Sequence, residues 1–444
     1  MRSARARVRP PTGTQADLHP DPPALRTTPP PPETSAVDAD VRGAVGRVLG
    51  AILRERAEET RGIDEVFARD VADRVTTFTT DGGKRIRSQL LWWGWRAGTG
   101  APVTPTTDPA PPIGTPRVTV DTVLRLAAAL ELIQSCALIH DDVMDGSLLR
   151  RGRPAVHADF AAHHPDTRAR GRGAPFGTSA AVLAGNLALS WADDLVAELA
   201  CPPAVTDTVR RLWRAMRTEM VAGQYLDLHA QHTGGGSTSG ALRIAHLKSA
   251  LYTVERPLAL GAALAGTDPA TTDALRSAGR CAGMAFQLRD DLLGVFGDPA
   301  TTGKPSGDDI REGKLTYLLA IARLRAEAAG DRAASALLRD APGDPGLSVS
   351  AMDRVRAALE STGARAVVEN AIERLAADSA RHLVDIPLDP AVRHRLEAIL
   401  RSTTGAGNTD TPTPPDPAPR PIDPDRDSHG VPATSTAALE GHPR

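Results

Sequence analysis

The chain has 444 residues and a formal net charge of −2 at pH 7, so there is no electrostatic case for nucleic acid. Its three cysteines, Cys136, Cys201 and Cys281, are odd in number, widely spaced and set mostly among apolar residues. They read as small core residues in a reducing cytoplasm, not as a zinc site or a disulfide framework. No run of about 18 apolar residues suggests a membrane-spanning helix.

Residues 1–40 are rich in Pro, Thr and Arg and cannot bury a core, so this stretch is expected to be a disordered tail. Arg2, Arg5, Arg7 and Arg9 precede no apolar segment, which argues against a secretory signal or membrane anchor. Asp17 and Asp21 weaken an organelle transit peptide. Residues 41–402 read as one all-α domain, because apolar residues dominated by Ala and Leu recur at helical spacing and alternating β-branched runs are scarce. Breaks rich in Pro and Gly near 99–117, 161–177, 232–240 and 297–308 separate helices. The helices are expected at about 38–57, 62–78, 84–97, 119–145, 178–200, 204–230, 241–265, 268–296 and 313–328. Weaker amphipathic segments follow near 348–382 and 389–402, and residues 403–444, rich in Pro and Asp, form a second expected disordered tail. The expectation is a single large helical bundle with a central active-site cavity between facing helices.

Chemistry enters at the ends of three of these helices. The segment Gly82-Gly83-Lys84-Arg85-Ile86-Arg87 sets Lys84 and Arg87 about one turn apart where a helix should begin. Positive charge there opposes the macrodipole, and a docked anion would use both the free N–H groups and the side chains. The apolar stretch 119–145 ends in Asp141-Asp142-Val143-Met144-Asp145, and the stretch 268–296 carries Asp290-Asp291. Asp141 and Asp145 share a helix face at roughly 5–6 Å between Cβ atoms. Buried like charges at that spacing are costly, and a divalent cation removes the problem; oxygen ligands that leave room for substrate phosphates suit Mg²⁺. Two such clusters facing each other would hold several Mg²⁺ ions around a diphosphate. The lysines add an independent signal. Of 52 Lys and Arg residues only four are Lys, namely Lys84, Lys248, Lys304 and Lys314, and each sits in or beside a distinctive segment. Positions that stay Lys in so Arg-rich a chain favour a compact ammonium charge in a polyanion site.

The order of these segments resembles the trans-isoprenyl diphosphate synthase family, which also carries Glu131-Leu132-Ile133-Gln134, Arg150-Arg151-Gly152-Arg153-Pro154, Gly223-Gln224-Tyr225-Leu226-Asp227, Lys248-Ser249, Phe286-Gln287-Leu288-Arg289-Asp290-Asp291 and Thr302-Gly303-Lys304-Pro305. The likeness covers about Gly82 to Lys314, and Tyr252-Thr253-Val254-Glu255-Arg256-Pro257 brings it closest to bacterial geranylgeranyl diphosphate synthases. It implies that an allylic diphosphate ionises, isopentenyl diphosphate attacks the cation, and a proton is lost. It also implies three Mg²⁺ ions, with Asp141 and Asp145 holding two and Asp290 the third, and with Asp142 and Asp291 as supporting acids. Arg150, Lys248 and Lys304 would complete the allylic diphosphate site. Lys84, Arg87, Gln134 and Arg151 would hold isopentenyl diphosphate without metal, and Lys314 is a further substrate-binding cation. Gln287 and Ser249 would face the carbocation, with Asp227 orienting Lys248, and a homodimer is the family's usual assembly. The family pattern is broken at Gly294, where many relatives have Asp, and at Ser88, where Pro is usual.

Product length in such enzymes depends on side chains N-terminal to the first aspartates. Cys136 and Ala137 are small and leave the route open, with Ile133 and Leu130 as the deeper floor, which points to a C20 product, geranylgeranyl diphosphate, ahead of C15 or C25 and longer. Two other readings stand beside this one. A class I terpene cyclase would need a second metal motif; Asn186, Ser190 and Asp194 have its spacing, but Leu187 is not acidic and two diphosphate sites make no sense in a cyclase. A non-catalytic synthase subunit would tend to lose an aspartate cluster, and this chain keeps both.

Overall fold

The computed structural model describes residues 33–99, 118–163, 173–234, 236–298 and 306–405. Within them the fold is helical, as the composition predicts, and the two short strands Leu149–Arg150 and Arg153–Pro154 pair into a hairpin. Its two-residue turn has positive φ at both positions, Arg151 (54°) and Gly152 (74°), as hairpin turns matching strand twist require.

The first helices are α1 (Thr34–Ala39), α2 (Val41–Arg61), α3 (Glu65–Phe67), α4 (Asp73–Thr80) and α5 (Ile86–Thr99). The expected N-terminal boundary at 40 is corrected by α1. Val37 is buried there, and Asp38 accepts hydrogen bonds from Trp92 Nε1 (2.8 Å) and Arg96 Nε (3.1 Å). Next come α6 (Val120–Met144), α7 (Val156–His163), α8 (Gly173–Ala197), α9 (Pro203–Thr233) and α10 (Thr238–Ala245). A π-helical segment, His246–Glu255, leads into α11 (Arg256–Ala265) and then α12 (Pro269–Phe296). The chain closes with α13 (Asp308–Arg311), α14 (Tyr317–Ala328), α15 (Arg332–Asp340), α16 (Val349–Ser361), α17 (Ala364–Val384) and α18 (Pro390–Thr404).

The long site-bearing helices start at side-chain caps legible in the sequence. Thr119 Oγ1 accepts from Thr122 N at 3.2 Å to open α6, and Asp268 Oδ1 accepts from Thr271 N at 2.9 Å to open α12. Of the expected helices 241–265, 313–328 and 348–382, two are divided and one starts late. The first changes to π-helical winding, the second begins only after Gly313 (φ 73°), and the third breaks at Gly363 (φ 71°), a left-handed position that glycine adopts readily.

At the centre, α6 packs on α8, α5 and α2, and its Leu124, Leu126, Leu130, Leu132, Ile133 and Ile139 are fully buried. The expectation that no stretch is long and apolar enough to span a bilayer is corrected, because α6 and α8 contain 18-residue windows with mean hydropathy of 1.6 and 1.2. They are apolar because they cover each other: 72% and 50% of those windows lie buried in the fold. On the other side of the bundle, the π-helical segment lies between α9 and α12. A Cβ on Gly223 of α9 would lie 2.4 Å from Lys248 N, and one on Gly283 of α12 would lie 2.6 Å from the Ala250 carbonyl oxygen. Glycine at both positions lets the segment's backbone press directly against both helices.

Candidate active site

A cavity of about 950 Å³ opens between α5, α6, α9, the π-helical segment and α12. One side of it gathers Asp141, Arg150, Lys248, Ser249, Gln287 and Asp290. Lys84, Arg87, Gln134 and Arg151 line it as well, and Ile133, Cys136 and Ala137 form part of its apolar wall. Residues from six separate segments thus share one space. Asp142, Asp145, Asp291 and Lys314 are not in the lining, and Lys304 lies outside the described residues. Leu130 is fully buried behind the wall and does not line the cavity, which corrects its place as deeper floor.

The end of α6 is a dense charge cluster. Asp141 Oδ1 accepts from Lys248 Nζ (3.3 Å) and from Gln224 Nε2 (3.1 Å). Burial alone would raise its carboxyl, but Lys248, Lys314 and Arg150 outweigh that and hold it below the ordinary carboxylate value. Lys248 is gripped from its other side by Asp227 Oδ2 at 2.8 Å, and Asp227 is buried. Asp142 is fully buried, and Arg150 Nε donates to its Oδ1 at 2.8 Å; burial still leaves its carboxyl above the ordinary value. Asp145, its side chain 2% exposed, meets Lys314 Nζ at 2.9 Å, and Lys314 also reaches Glu312 at 2.6 Å and Asp309 at 3.7 Å. Lys314 was expected to face substrate. In the structure these three carboxylates outweigh its burial and hold its ammonium above the ordinary value.

On α12, Asp290 is exposed to the cavity and Asp291 is buried. Burial, with Asp309 and Asp290 adding to it, pushes the Asp291 carboxyl up to about 8, and Gln287 Nε2 donates to it at 2.7 Å. Gly294, where the sequence departs from the family pattern, has a counterpart in space. A Cβ there would lie 2.3 Å from Asp309 Oδ2, so a carboxylate from α13 occupies the place next to it.

The residues fit a hard cation. Asp142 Oδ2 and Asp145 Oδ1 are buried with no hydrogen-bond partner, and each such oxygen is expensive unless something positive meets it. Among the described residues no group of three or more His, Cys, Asp or Glu forms a metal cage by itself. Mg²⁺ binds through one or two carboxylates and takes its remaining ligands from water and substrate phosphates.

The basic corner is built differently. The Arg87 guanidinium lies 4.3 Å from the Tyr252 ring centroid and donates to Thr253 Oγ1 at 2.8 Å. Lys84 is exposed and precedes α5, which begins at Ile86, so only Arg87 stands in the helix's first turn. Arg151 donates to the Asp81 carbonyl at 2.9 Å, tying the hairpin to the loop before α5. The decoy triad Asn186, Ser190 and Asp194 is exposed on α8 and outside the cavity. Sequence reading gave no site role to Gln224, Tyr252, Thr253 or Asp309. For Gln224 a signal existed, since it precedes Asp227 by three residues and so shares its face of α9.

Comparison with known proteins agrees with this geometry. The Mycobacterium tuberculosis protein named geranylgeranyl diphosphate synthase is 34% identical over 254 residues, covering 57% of this chain and 66% of that protein. A (2E,6E)-farnesyl diphosphate synthase of Mycobacterium bovis is 33% identical over 240 residues, covering 54% of this chain and 61% of its own length. The chain thus spans just under two thirds of these curated relatives. A crystal structure of geranylgeranyl pyrophosphate synthase from Corynebacterium glutamicum, complexed with isoprenyl diphosphate and magnesium, superposes with a TM-score of 0.73 at 38% identity, covering 81% of this chain and 98% of that one. Residues 69–353, more than half the chain, match the sequence profile of the polyprenyl synthetase family, and to that family this chain belongs.

Proposed function

We propose that this chain is a Mg²⁺-dependent trans-prenyltransferase that condenses isopentenyl diphosphate with an allylic diphosphate, giving geranylgeranyl diphosphate (C20) as its main product. The observation that carries the reading is a single cavity holding an aspartate-rich side, a separate basic corner and an apolar wall between helices. A diphosphate ester with a growing apolar tail needs all three.

Asp141, Asp145 and Asp290 would hold the metal, which neutralises the leaving diphosphate. Arg150 and Lys248 bind the allylic diphosphate beside them, with Lys304 and Lys314 as further cations, while Lys84, Arg87, Gln134 and Arg151 bind isopentenyl diphosphate. The allylic C–O bond breaks, and its electron pair leaves with the diphosphate. The double bond of isopentenyl diphosphate then forms the new C–C bond, and the proton released passes to the departed diphosphate. Ser249 and Gln287 turn oxygen dipoles toward the carbocation, and Asp142, Asp227 and Asp291 position the groups that touch substrate. The chain-length readings differ among relatives, which are named for both C20 and C15 products; Cys136 and Ala137 in the wall favour the longer. A cytoplasmic homodimer fits the family resemblance.

The test is to incubate purified protein with Mg²⁺, isopentenyl diphosphate and each of the C5, C10 and C15 allylic diphosphates, and to identify the dephosphorylated products by mass spectrometry. Condensation that requires Mg²⁺ and stops mainly at C20 is expected. Full activity in excess chelator would sink the metal assignment, and cyclised hydrocarbon would favour a terpene cyclase.

A further inference from the structure

Three helices enclose the cavity below the aspartates, and side-chain contacts fix their relative depth. Gln224 of α9 meets Asp141 of α6 at 3.1 Å, so these two positions are level. His140 Nε2 of α6 lies 3.2 Å from the Val182 carbonyl oxygen of α8, and a Cβ on Gly185 would strike the same imidazole at 2.2 Å. Helix α8 runs opposite to α6, since Ala200 just beyond its end accepts from Thr122 at the start of α6. Descending from these pins, Ile133 lies eight residues below Asp141, Arg217 seven below Gln224 and Asp193 eight past Gly185. At about 1.5 Å per residue all three reach a depth of roughly 10–12 Å.

At that depth the wall changes character. Asp193 and Arg217 form an ion pair that joins α8 to α9, and Trp213 Nε1 donates to Asp193 Oδ1 at 2.7 Å from a buried ring. Arg217 lines the cavity, as does Arg214 below it. Above the pair Ile133, Ala137, Leu189 and Met220 give the lining an apolar stripe.

We propose that the Asp193–Arg217 pair, held by Trp213, is the floor that ends product elongation, a reading that rests on the prenyl-transfer function. Down to this level each added isoprene unit removes apolar surface from water. Beyond it the tail meets the Arg217 guanidinium, anchored from behind by Asp193, and the water around it, so a further unit gains no burial and would have to part a hydrogen-bonded pair. The small Cys136 and Ala137 leave the route to this floor open, so the stop lies on α8 and α9 and not on α6.

The experiment uses the full chain with Mg²⁺, isopentenyl diphosphate and the C15 allylic diphosphate, reading product length by mass spectrometry. Arg217→Met keeps the side chain's reach and removes its charge, and the double change Asp193→Leu with Arg217→Met leaves no lone carboxylate. Both are expected to move the dominant product up by at least one C5 unit, while Arg217→Lys, which keeps the pair, retains the wild-type length. Arg217→Gln stands in if Arg217→Met loses helical circular dichroism, with the same expected outcome. A wild-type product distribution in any folded, charge-free variant overturns the floor. Absence of any condensation by the wild-type protein is a different failure, and it overturns the prenyl-transfer reading itself.

Discussion

Two basic side chains in the cavity are held by opposite kinds of neighbour. Lys248 sits between two carboxylates, Asp141 at 3.3 Å and Asp227 at 2.8 Å, so it is fixed beside the acidic cluster. Arg87 has a tyrosine face and a threonine hydroxyl instead, which orient the guanidinium without neutralising it. A second anion is what would complete it. Arg87→Ala is therefore expected to raise KM for isopentenyl diphosphate by roughly 10- to 100-fold, the loss of about 1.5–3 kcal/mol for a charged hydrogen bond, with kcat changed far less. Lys248→Ala should act mainly on kcat and on the allylic substrate. Steady-state kinetics with each substrate varied in turn decides this, and equal effects on both substrates would count against two separate sites. Both residues were legible in the sequence, Lys248 through the scarcity of lysine and Arg87 through its place after two glycines. Their partners Tyr252 and Thr253 were not, because which face of the chain they occupy depends on a winding that no helical period announces.

That winding belongs to the element scale. His246–Glu255 is π-helical, and it contributes Lys248, Ser249, Tyr252 and Thr253 to one cavity. π-helical turns are rare and frequently mark functional positions. Two features hold this one. Its C-terminal Glu255 is fully buried and ion-paired to Arg256 at 3.0 Å and Arg276 of α12 at 2.6 Å, while Arg256 reaches Glu219 of α9. Upstream, Gly223 and Gly283 allow the neighbouring helices to touch its backbone. Gly223→Ala places a methyl 2.4 Å from Lys248 N, so α9 and the segment must separate. Overpacking of this kind typically costs about 1–3 kcal/mol. The expected result is a modest fall in melting temperature with a disproportionate loss of kcat, since Lys248 moves away from Asp141; unchanged kcat in a folded variant would show that this contact does not position the lysine. The caps at Thr119 and Asp268 made the starts of α6 and α12 readable, but a glycine chosen for a close backbone approach looks in sequence like any other glycine in a helix.

At the scale of the whole molecule, the proposed limit on product length depends on where three helices stop being apolar. The all-α class and the core role of α6 followed from composition and periodicity alone. The location of the floor did not, since it depends on depth across elements far apart in sequence. Cys136 lies on the α6 wall, five residues before Asp141, and burial pushes its thiol up to about 12, so it acts there through volume and not as a reactive thiolate. Cys136→Phe projects a ring into the cavity between the aspartates and the Asp193–Arg217 pair. The ring cannot be relaxed away on its packed side, where interiors have the density of organic crystals, but the cavity side offers it room. Elongation should then stop earlier, with the dominant product moving from C20 toward C15 while the first condensation survives, because the charged groups above are untouched. Combined with Arg217→Met, the outcome depends on the order of the obstacles along the route. The ring lies nearer the aspartates, so the double variant should keep the short product of Cys136→Phe. Chromatography of the dephosphorylated products reads both. A folded, active Cys136→Phe with wild-type products would remove Cys136 from the route, and a double variant that made long products would place the ring beside the growing chain instead of across it.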